Sequence, residues 1–187
     1  MPEERDRNKR AEASGSVINS EEIKNFGSSE AKYGFYGSYM HSVDAKGRMI
    51  VPQNFRECLG ERIVIGLNMS QTSVAIYPYE IWKKKIDMLT VLSEEDVSAE
   101  VFLERFAMFS FDNISFDTQG RILLPVALRD NFLRNTAMVQ VSGAREYLKV
   151  ISSQQAEEEI TNFHLDHPDI LKDISLIQDR LRMKNAK

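Results

Sequence analysis

The chain has 187 residues, of which 42% are hydrophobic and 28% charged, a balance typical of a globular protein. A chain of this length can bury a core without disulfides, and its only cysteine, Cys58, excludes an intrachain disulfide and a cysteine-based zinc site. Its apolar runs are much shorter than the roughly 20 residues that cross a bilayer, so we expect a cytoplasmic protein with no membrane partner.

The formal net charge of −4 is unusual for a DNA-binding protein, because most DNA-binding domains carry a surplus of Lys and Arg. Residues 33–150 hold thirteen basic and fourteen acidic side chains, so this part of the chain is nearly neutral. Binding to DNA would then depend on local clusters of basic residues and on several copies acting together. The composition permits DNA binding without indicating it.

Residues 1–32 are rich in polar and charged side chains and show no sustained apolar period. Such a segment buries too little surface to fold alone, which predicts a flexible N-terminal extension.

An internal repeat follows, and it is the most informative feature of the sequence. Residues 41–52 read HSVDAKGRMIVP and residues 114–125 read ISFDTQGRILLP, so Asp, Gly, Arg and Pro recur in one order. In each copy, Asp-x-x-Gly is typical of a type I turn whose carboxylate accepts backbone N–H bonds. The proline ends the next strand and begins a short helix, which predicts helices at Pro52–Leu59, ended by Gly60, and at Pro125–Phe132.

Short strands flank each turn, and a second pair of strands follows each short helix. One such unit exposes an apolar face that a second unit can cover. We therefore predict an α+β, β-rich fold, a small barrel with pseudo-two-fold symmetry and flanking helices, with one repeat and its following helix at 33–89 and a connecting helix with the other repeat at 90–153. The predicted strands are Tyr39–Val43, Arg48–Val51, Ile63–Leu67, Val74–Tyr77, Ser115–Phe116, Arg121–Leu124, Ala137–Val141 and Tyr147–Ile151.

Two helices are predicted between the copies, at Tyr79–Leu89 and Ser93–Phe109, and Ser93 with Asp96 is typical of a capping box. Three phenylalanines recur at helical spacing in the second of these helices, which favours positions in the core or in a subunit interface: Phe102, Phe106 and Phe109.

The C-terminal tail, 154–187, predicts two amphipathic helices at Gln154–Phe163 and Asp169–Met183. An apolar stripe on the second helix can pack on the body or on a neighbouring subunit, and it is too short for a coiled coil. The stripe consists of Ile170, Ile174, Ile177 and Leu181.

The motifs Asp44-Ala-Lys-Gly-Arg48 and Asp117-Thr-Gln-Gly-Arg121, together with Phe35-Tyr-Gly-Ser-Tyr-Met-His41, closely resemble the MraZ family. The resemblance runs from about Phe35 to about Ile151 and leaves out both terminal extensions. It implies the swapped-hairpin fold of AbrB-like regulators and a ring-shaped homo-oligomer in the nucleoid, without a cofactor or small-molecule substrate. It also implies binding to double-stranded promoter DNA, at short G-rich direct repeats upstream of the division and cell-wall gene cluster.

The resemblance places the DNA-contacting motif on the two turns. Arg48 and Arg121 stand just after the turns, and arginine is the side chain best suited to donate two hydrogen bonds to guanine O6 and N7. Lys46 can meet a phosphate. The second copy has Gln119 in that place, so the two copies need not contribute equally.

Four residues are expected to shape the turns. Asp44 and Asp117 would be repelled by phosphate, so we assign them to the turn and to orienting the arginine, with Gly47 and Gly120 completing each turn. The alternative is that each Asp–Arg pair is only a surface salt bridge, worth at most about 1 kcal/mol.

Other basic residues are weaker candidates. Arg56 and Arg129 follow the helix starts and are candidates for the same surface, with a solvated helix face as the equal alternative. For the basic run Lys83–Lys85, a solvated helix face is favoured.

An enzyme is disfavoured, and we expect no catalytic or metal-binding residues. His164-Leu-Asp166-His167 lacks a third ligand at a usable spacing, and Cys58 with His41 is a poor nucleophile–base pair because Cys58 suits a small buried position. No Gly-rich phosphate loop or nucleophile elbow is visible. The main alternative is an AbrB-like structural oligomer or antitoxin-type partner protein without operator binding.

Overall fold

The structure is a computed structural model that describes residues 34–185, so the extension predicted at 1–32 lies outside the described residues. Each copy of the repeat has the element order strand, strand, helix, strand, strand, helix. The first copy comprises β1 (Ser38–Ser42), β2 (Arg48–Ile50), α1 (Gln53–Leu59), β3 (Ile63–Leu67), β4 (Val74–Pro78) and α2 (Tyr79–Ser93). After α3 (Val97–Met108), the second comprises β5 (Phe111–Ile114), β6 (Arg121–Leu123), α4 (Val126–Phe132), β7 (Met138–Gly143), β8 (Leu148–Ser152) and α5 (Ser153–Asp166), and α6 (Ile170–Asn185) follows.

Six strands form one antiparallel sheet in the order β1-β7-β8-β4-β3-β5, and β2 pairs with β6 in a separate two-stranded ribbon. The order is unchanged when the two copies are exchanged, because β1 corresponds to β5, β7 to β3 and β8 to β4. The first strand of each copy pairs with the other copy, β1 with β7 and β5 with β3. The fold is therefore α+β, and the two copies are interleaved.

The strand that leads into the second turn lies earlier than the sequence predicts. The expected strand Ser115–Phe116 is wrong, because β5 is Phe111–Ile114 and pairs with β3 through an irregular register. Phe116 instead packs against the main core as a partly buried side chain. The repeat predicts a strand directly before the turn. The residues that pair with β3, however, are the four that precede Ser115.

The core has two parts. The larger cluster lies between the sheet, the ribbon and the short helices α1 and α4, and it includes Phe35, Met49, Phe55, Ile122 and Leu128. The smaller cluster lies under α2 and α3. It contains Phe106, with Phe102 packed against it, while Phe109 packs against the larger cluster. Phe106 is thus buried in the core, as expected, while Phe102 and Phe109 are partly buried against the two clusters.

The helix ends follow the local sequence, with one exception. Pro52 and Pro125 directly precede α1 and α4, and Gly60, with φ of 74°, ends α1. The predicted capping box is wrong: Asp96 itself caps α3 by accepting the Ser98 N–H at 2.7 Å. Ser93 is the last residue of α2, which runs longer than predicted, and its hydroxyl donates to a carbonyl of its own helix.

The tail forms the two predicted helices. The helix α5 packs on β7 and β8 and buries Ala156. On α6 the stripe residues Ile174, Ile177 and Leu181 are 44%, 53% and 55% exposed, so within the described chain they do not pack on the body. In the part of the chain that the structure describes, none of the helices is long and apolar enough to cross a membrane.

Candidate functional site

Each repeated motif forms a tight turn held by its own aspartate. The N–H of Gly47 donates to the Asp44 carbonyl at 2.8 Å, and that of Gly120 donates to the Asp117 carbonyl at 2.9 Å. In both turns Oδ1 of the aspartate accepts the N–H groups two and four residues further on, each at 2.9 Å. The glycines have φ of 81° and 73°, a conformation that side chains with a Cβ disfavour. The two turns are therefore built alike.

The same aspartates also hold the arginine side chains. Oδ2 of Asp44 accepts Nε of Arg48 at 2.8 Å and forms an ion pair with Nη2 at 2.7 Å, and Oδ2 of Asp117 accepts Nε of Arg121 at 2.7 Å. The arginine side chains are 31% and 24% exposed, so both are partly accessible to solvent. Each guanidinium is thus fixed along one edge and accessible from solvent.

The two turns contact each other across the repeats. Nη1 of Arg48 lies 4.0 Å from Oδ2 of Asp117, and Nη1 of Arg121 lies 4.0 Å from Oδ2 of Asp44. The two aspartates and two arginines therefore form one alternating cluster of charges.

The β2–β6 ribbon explains this arrangement. Met49 pairs with Ile122 at the centre of the ribbon, and both are buried. Arg121 is paired with Ile50, two residues after Arg48, so side-chain alternation puts both arginines on the solvent-facing side. The turns lie at opposite ends of a ribbon only three residues long, which keeps them within contact distance.

Both aspartates are ionised at neutral pH. Hydrogen bonds from the backbone N–H and then the side chain of Arg48 lower the pKa of Asp44 to about 2. The backbone N–H of Arg121 is the main cause of the lowered pKa of Asp117, and its side chain contributes. The negative charge of each carboxylate is therefore present opposite its arginine at physiological pH.

Of the remaining candidates, four lie in or beside the turns, and the basic run on α2 lies elsewhere. Lys46 and Gln119 occupy equivalent exposed positions in the two turns. Arg56 lies against Gly120 and Arg129 against Gly47, so each is next to the turn of the other copy. The basic run Lys83–Lys85 is on α2, where two of its members pair with carboxylates outside the turns.

Sequence reasoning missed two apolar residues on the exposed side of the ribbon. Ile50 and Leu123 are 46% and 53% exposed and alternate with the two arginines. The signal that could have found them is the period of two along Arg48–Ile50 and Arg121–Leu123, which puts both residues on the arginine side.

Three of the residues considered for an enzymatic site pack against apolar side chains. The rings of His164 and His167 pack against Phe163, with centroids 5.5 Å and 5.4 Å from its ring. Cys58 packs against the main core, and burial lowers the pKa of His41 on β1. Among the residues that the structure describes, no group of three or more His, Cys, Asp or Glu side chains could hold a metal ion.

Comparison with known proteins finds one family. A family model described as "MraZ protein, putative antitoxin-like" matches residues 35–105. A protein named transcriptional regulator MraZ from Clostridium tetani is 33% identical over 141 residues, which cover 75% of this chain and 96% of that protein. Proteins of the same name from Desulfitobacterium hafniense and Acetivibrio thermocellus are 40% and 41% identical over 96 residues, which cover 51% of this chain and 66% of each relative.

Proposed function

Because the chain belongs to the MraZ family of transcriptional regulators, we propose that it regulates transcription by binding promoter DNA through its paired turns. Its targets are short G-rich direct repeats upstream of the division and cell-wall gene cluster, including its own gene. Several subunits in a ring bind neighbouring repeats. It acts in the nucleoid and needs no cofactor, small-molecule substrate or membrane partner.

The observation that carries this proposal is the pair of matched turns that present Arg48 and Arg121 on one face. Oδ2 of Asp44 accepts Nε of Arg48 and lies 2.7 Å from Nη2, which leaves the edge formed by Nη1, 4.0 Å from Oδ2 of Asp117, and the outer hydrogen of Nη2. That edge carries two coplanar donors, and these match O6 and N7 of a guanine in the major groove. An isolated surface salt bridge would not explain why two distant segments form the same Asp–Arg turn next to each other.

The charges around the turns fit contact with the DNA backbone. Five basic side chains lie in or against the turns, together with the two aspartates: Lys46, Arg48, Arg56, Arg121 and Arg129. We assign Lys46 to a phosphate and Gln119 to a phosphate or a base edge, while Arg56 and Arg129 add positive charge beside the turns. Ile50 and Leu123 lie between the arginines, where an apolar side chain can contact a thymine methyl group.

The near-neutral chain needs several subunits on one DNA. Two or three phosphate contacts give weak binding at physiological salt, whereas linked subunits make each later contact intramolecular. A closed ring supplies such linked subunits, and closed symmetry is usual in homo-oligomers. The swapped-hairpin, AbrB-like class is part of this proposal, and the sheet order that is unchanged on exchanging the copies supports it.

The proposal is tested by titrating DNA from upstream of its own gene with wild-type protein, Arg48→Ala and Arg121→Ala. Each substitution should lower specific affinity about 5- to 150-fold, the equivalent of about 1–3 kcal/mol for one bidentate contact. The larger loss is expected in the first copy, which also has Lys46. Arg182→Ala is the control, because it removes one charge from an 81% exposed side chain on α6.

Two results separate the alternatives. If both turn variants bind the promoter like the wild type, the turns are not the DNA contact. If the wild-type oligomer is intact by light scattering but does not prefer the promoter DNA, a structural or antitoxin-type protein is the correct description.

A further inference from the structure

Each turn is covered by an arginine from the other repeat. Gly47 and Gly120 are buried, and a Cβ added to Gly47 would overlap the guanidinium of Arg129. A Cβ added to Gly120 would likewise overlap the guanidinium of Arg56. The glycines thus leave space for a flat side chain that arrives from the opposite copy.

These two guanidinium groups are held by packing. Nε of Arg56 and Nε of Arg129 are buried, and neither has a hydrogen-bond partner among the described residues. A planar guanidinium is weakly hydrated and stacks well on flat groups. Each guanidinium occupies the space beside the glycine that a Cβ would fill, and close packing there holds the arginine.

The backbone makes the same crossed connection. The carbonyl of Gly47 accepts the N–H of Leu124 at 3.0 Å, and the carbonyl of Gly120 accepts the N–H of Val51 at 3.1 Å. Arg129 also lines a cleft of about 280 Å³ together with Asp44 and Ala45 of the first turn. One side of each turn is thus held by the other repeat through both main chain and side chain.

We propose that Arg56 and Arg129 are positioning residues that act across the repeats. Arg56 sets the turn Asp117–Arg121, and Arg129 sets the turn Asp44–Arg48. The crossed arrangement makes the two turns one unit, since neither repeat positions its own base-reading arginine alone. The effect of this crossed arrangement on DNA binding rests on the proposed function. The positioning of each turn by the other repeat does not.

The positioning is tested without DNA by methyl NMR of the full-length protein, a method suited to a large oligomer. Ala45 and Thr118 provide one methyl probe in each turn. Arg56→Met should shift the Thr118 methyl resonance more than that of Ala45, and Arg129→Met should do the reverse. Arg105→Met is the control, because Arg105 lies on α3 and contacts Gln71, and it should move neither probe.

The charge-conserving variant Arg56→Lys separates packing from charge, and it also replaces Arg56→Met if that protein does not fold. Lysine keeps the positive charge but lacks the planar group, so the Thr118 resonance should still move. Restoration of the wild-type resonance by lysine would overturn the proposal. A larger shift in the turn of the same repeat would also overturn it.

A second experiment, on DNA binding, measures which guanine contacts each variant loses. If the crossed positioning is correct, Arg56→Met loses the guanine contacts that Arg121→Ala loses, and Arg129→Met loses those of Arg48→Ala. A uniform loss on all sequences, with a salt slope reduced by about 1, would make both arginines simple phosphate contacts and contradict the positioning role. If the wild type binds no DNA, the proposed function fails while the methyl shifts still decide the crossed positioning.

Discussion

The substitution Asp44→Asn separates the two effects of this carboxylate on the first turn. An asparagine Oδ1 can still accept the two backbone N–H groups that Asp44 accepts at 2.9 Å, so the turn should persist. The amide nitrogen that replaces Oδ2 is a donor, and it cannot accept Nε and Nη2 of Arg48, which lie at 2.8 Å and 2.7 Å. The change therefore releases the guanidinium and removes one negative charge without changing the size of the side chain.

The two effects have opposite signs for DNA binding. Loss of orientation removes up to the discrimination of one bidentate arginine–guanine contact, about 1–3 kcal/mol, or about 5- to 150-fold. Loss of the charge favours any DNA, and a unit charge at 4 Å contributes about 1 kcal/mol in water, or about fivefold. The distance of 4.0 Å between Asp44 Oδ2 and Arg121 Nη1 indicates how closely this charge opposes the second arginine. We therefore expect weaker binding to promoter DNA and slightly stronger binding to unrelated DNA.

Fluorescence anisotropy with promoter DNA and with a shuffled duplex of equal length measures both affinities, at two salt concentrations. Asp87→Asn is the matched control, because it makes the same charge change on α2, where Asp87 pairs with Lys83 at 2.6 Å. The control should leave the ratio of the two affinities unchanged. If Asp44→Asn moves both affinities in the same direction by the same factor, Asp44 acts only as a charge and the orienting role is refuted.

Three further predictions follow from the turns and from the repeat. Because the pKa of Asp44, about 2, lies below the ordinary 3.8, its stabilising effect is complete above about pH 4 and is lost as pH falls towards 2; in thermal melts Asp44→Asn should show a shallower acid decline than wild type, and equal declines would contradict this. Gly47→Ala should destabilise the protein by more than the about 1–2 kcal/mol of a left-handed backbone, because its Cβ meets Arg129; a loss in urea denaturation no larger than this backbone strain would exclude the contact with Arg129. Three or four direct repeats should bind far more tightly than one, and respacing them by about 5 base pairs, half a helical turn, should remove most of the gain; equal affinity in titrations of the three DNAs would rule out multivalent binding.

The turns and short helices could be predicted because their determinants are local. Asp44 and Gly47 are three residues apart in one turn, and Pro52 stands directly before the helix that it starts. Asp96 shows the limit of such patterns. Ser93 and Asp96 fit the sequence pattern of a capping box, and only the greater length of α2, which includes Ser93, excludes it.

The contacts between the repeats could not be predicted because they depend on pairing between distant segments. Two motifs that share their Asp, Gly, Arg and Pro can pair within a copy or across copies, and nothing local distinguishes these two possibilities. The structure puts Arg48 beside Asp117 and Arg56 over Gly120, across more than 60 residues of chain in each case. The composition of the site was therefore accessible from the sequence, whereas the crossed arrangement required the fold.

The central claim is that Arg48 and Arg121 read guanine bases, and methylation interference tests it most directly. Methylation of guanine N7 removes the acceptor that a bidentate arginine needs. In promoter DNA, methylation at particular guanines of each repeat should abolish wild-type binding, and Arg48→Ala should become insensitive at one subset of them and Arg121→Ala at the other. Identical interference patterns for all three proteins, or wild-type binding that is insensitive to N7 methylation, would contradict the account.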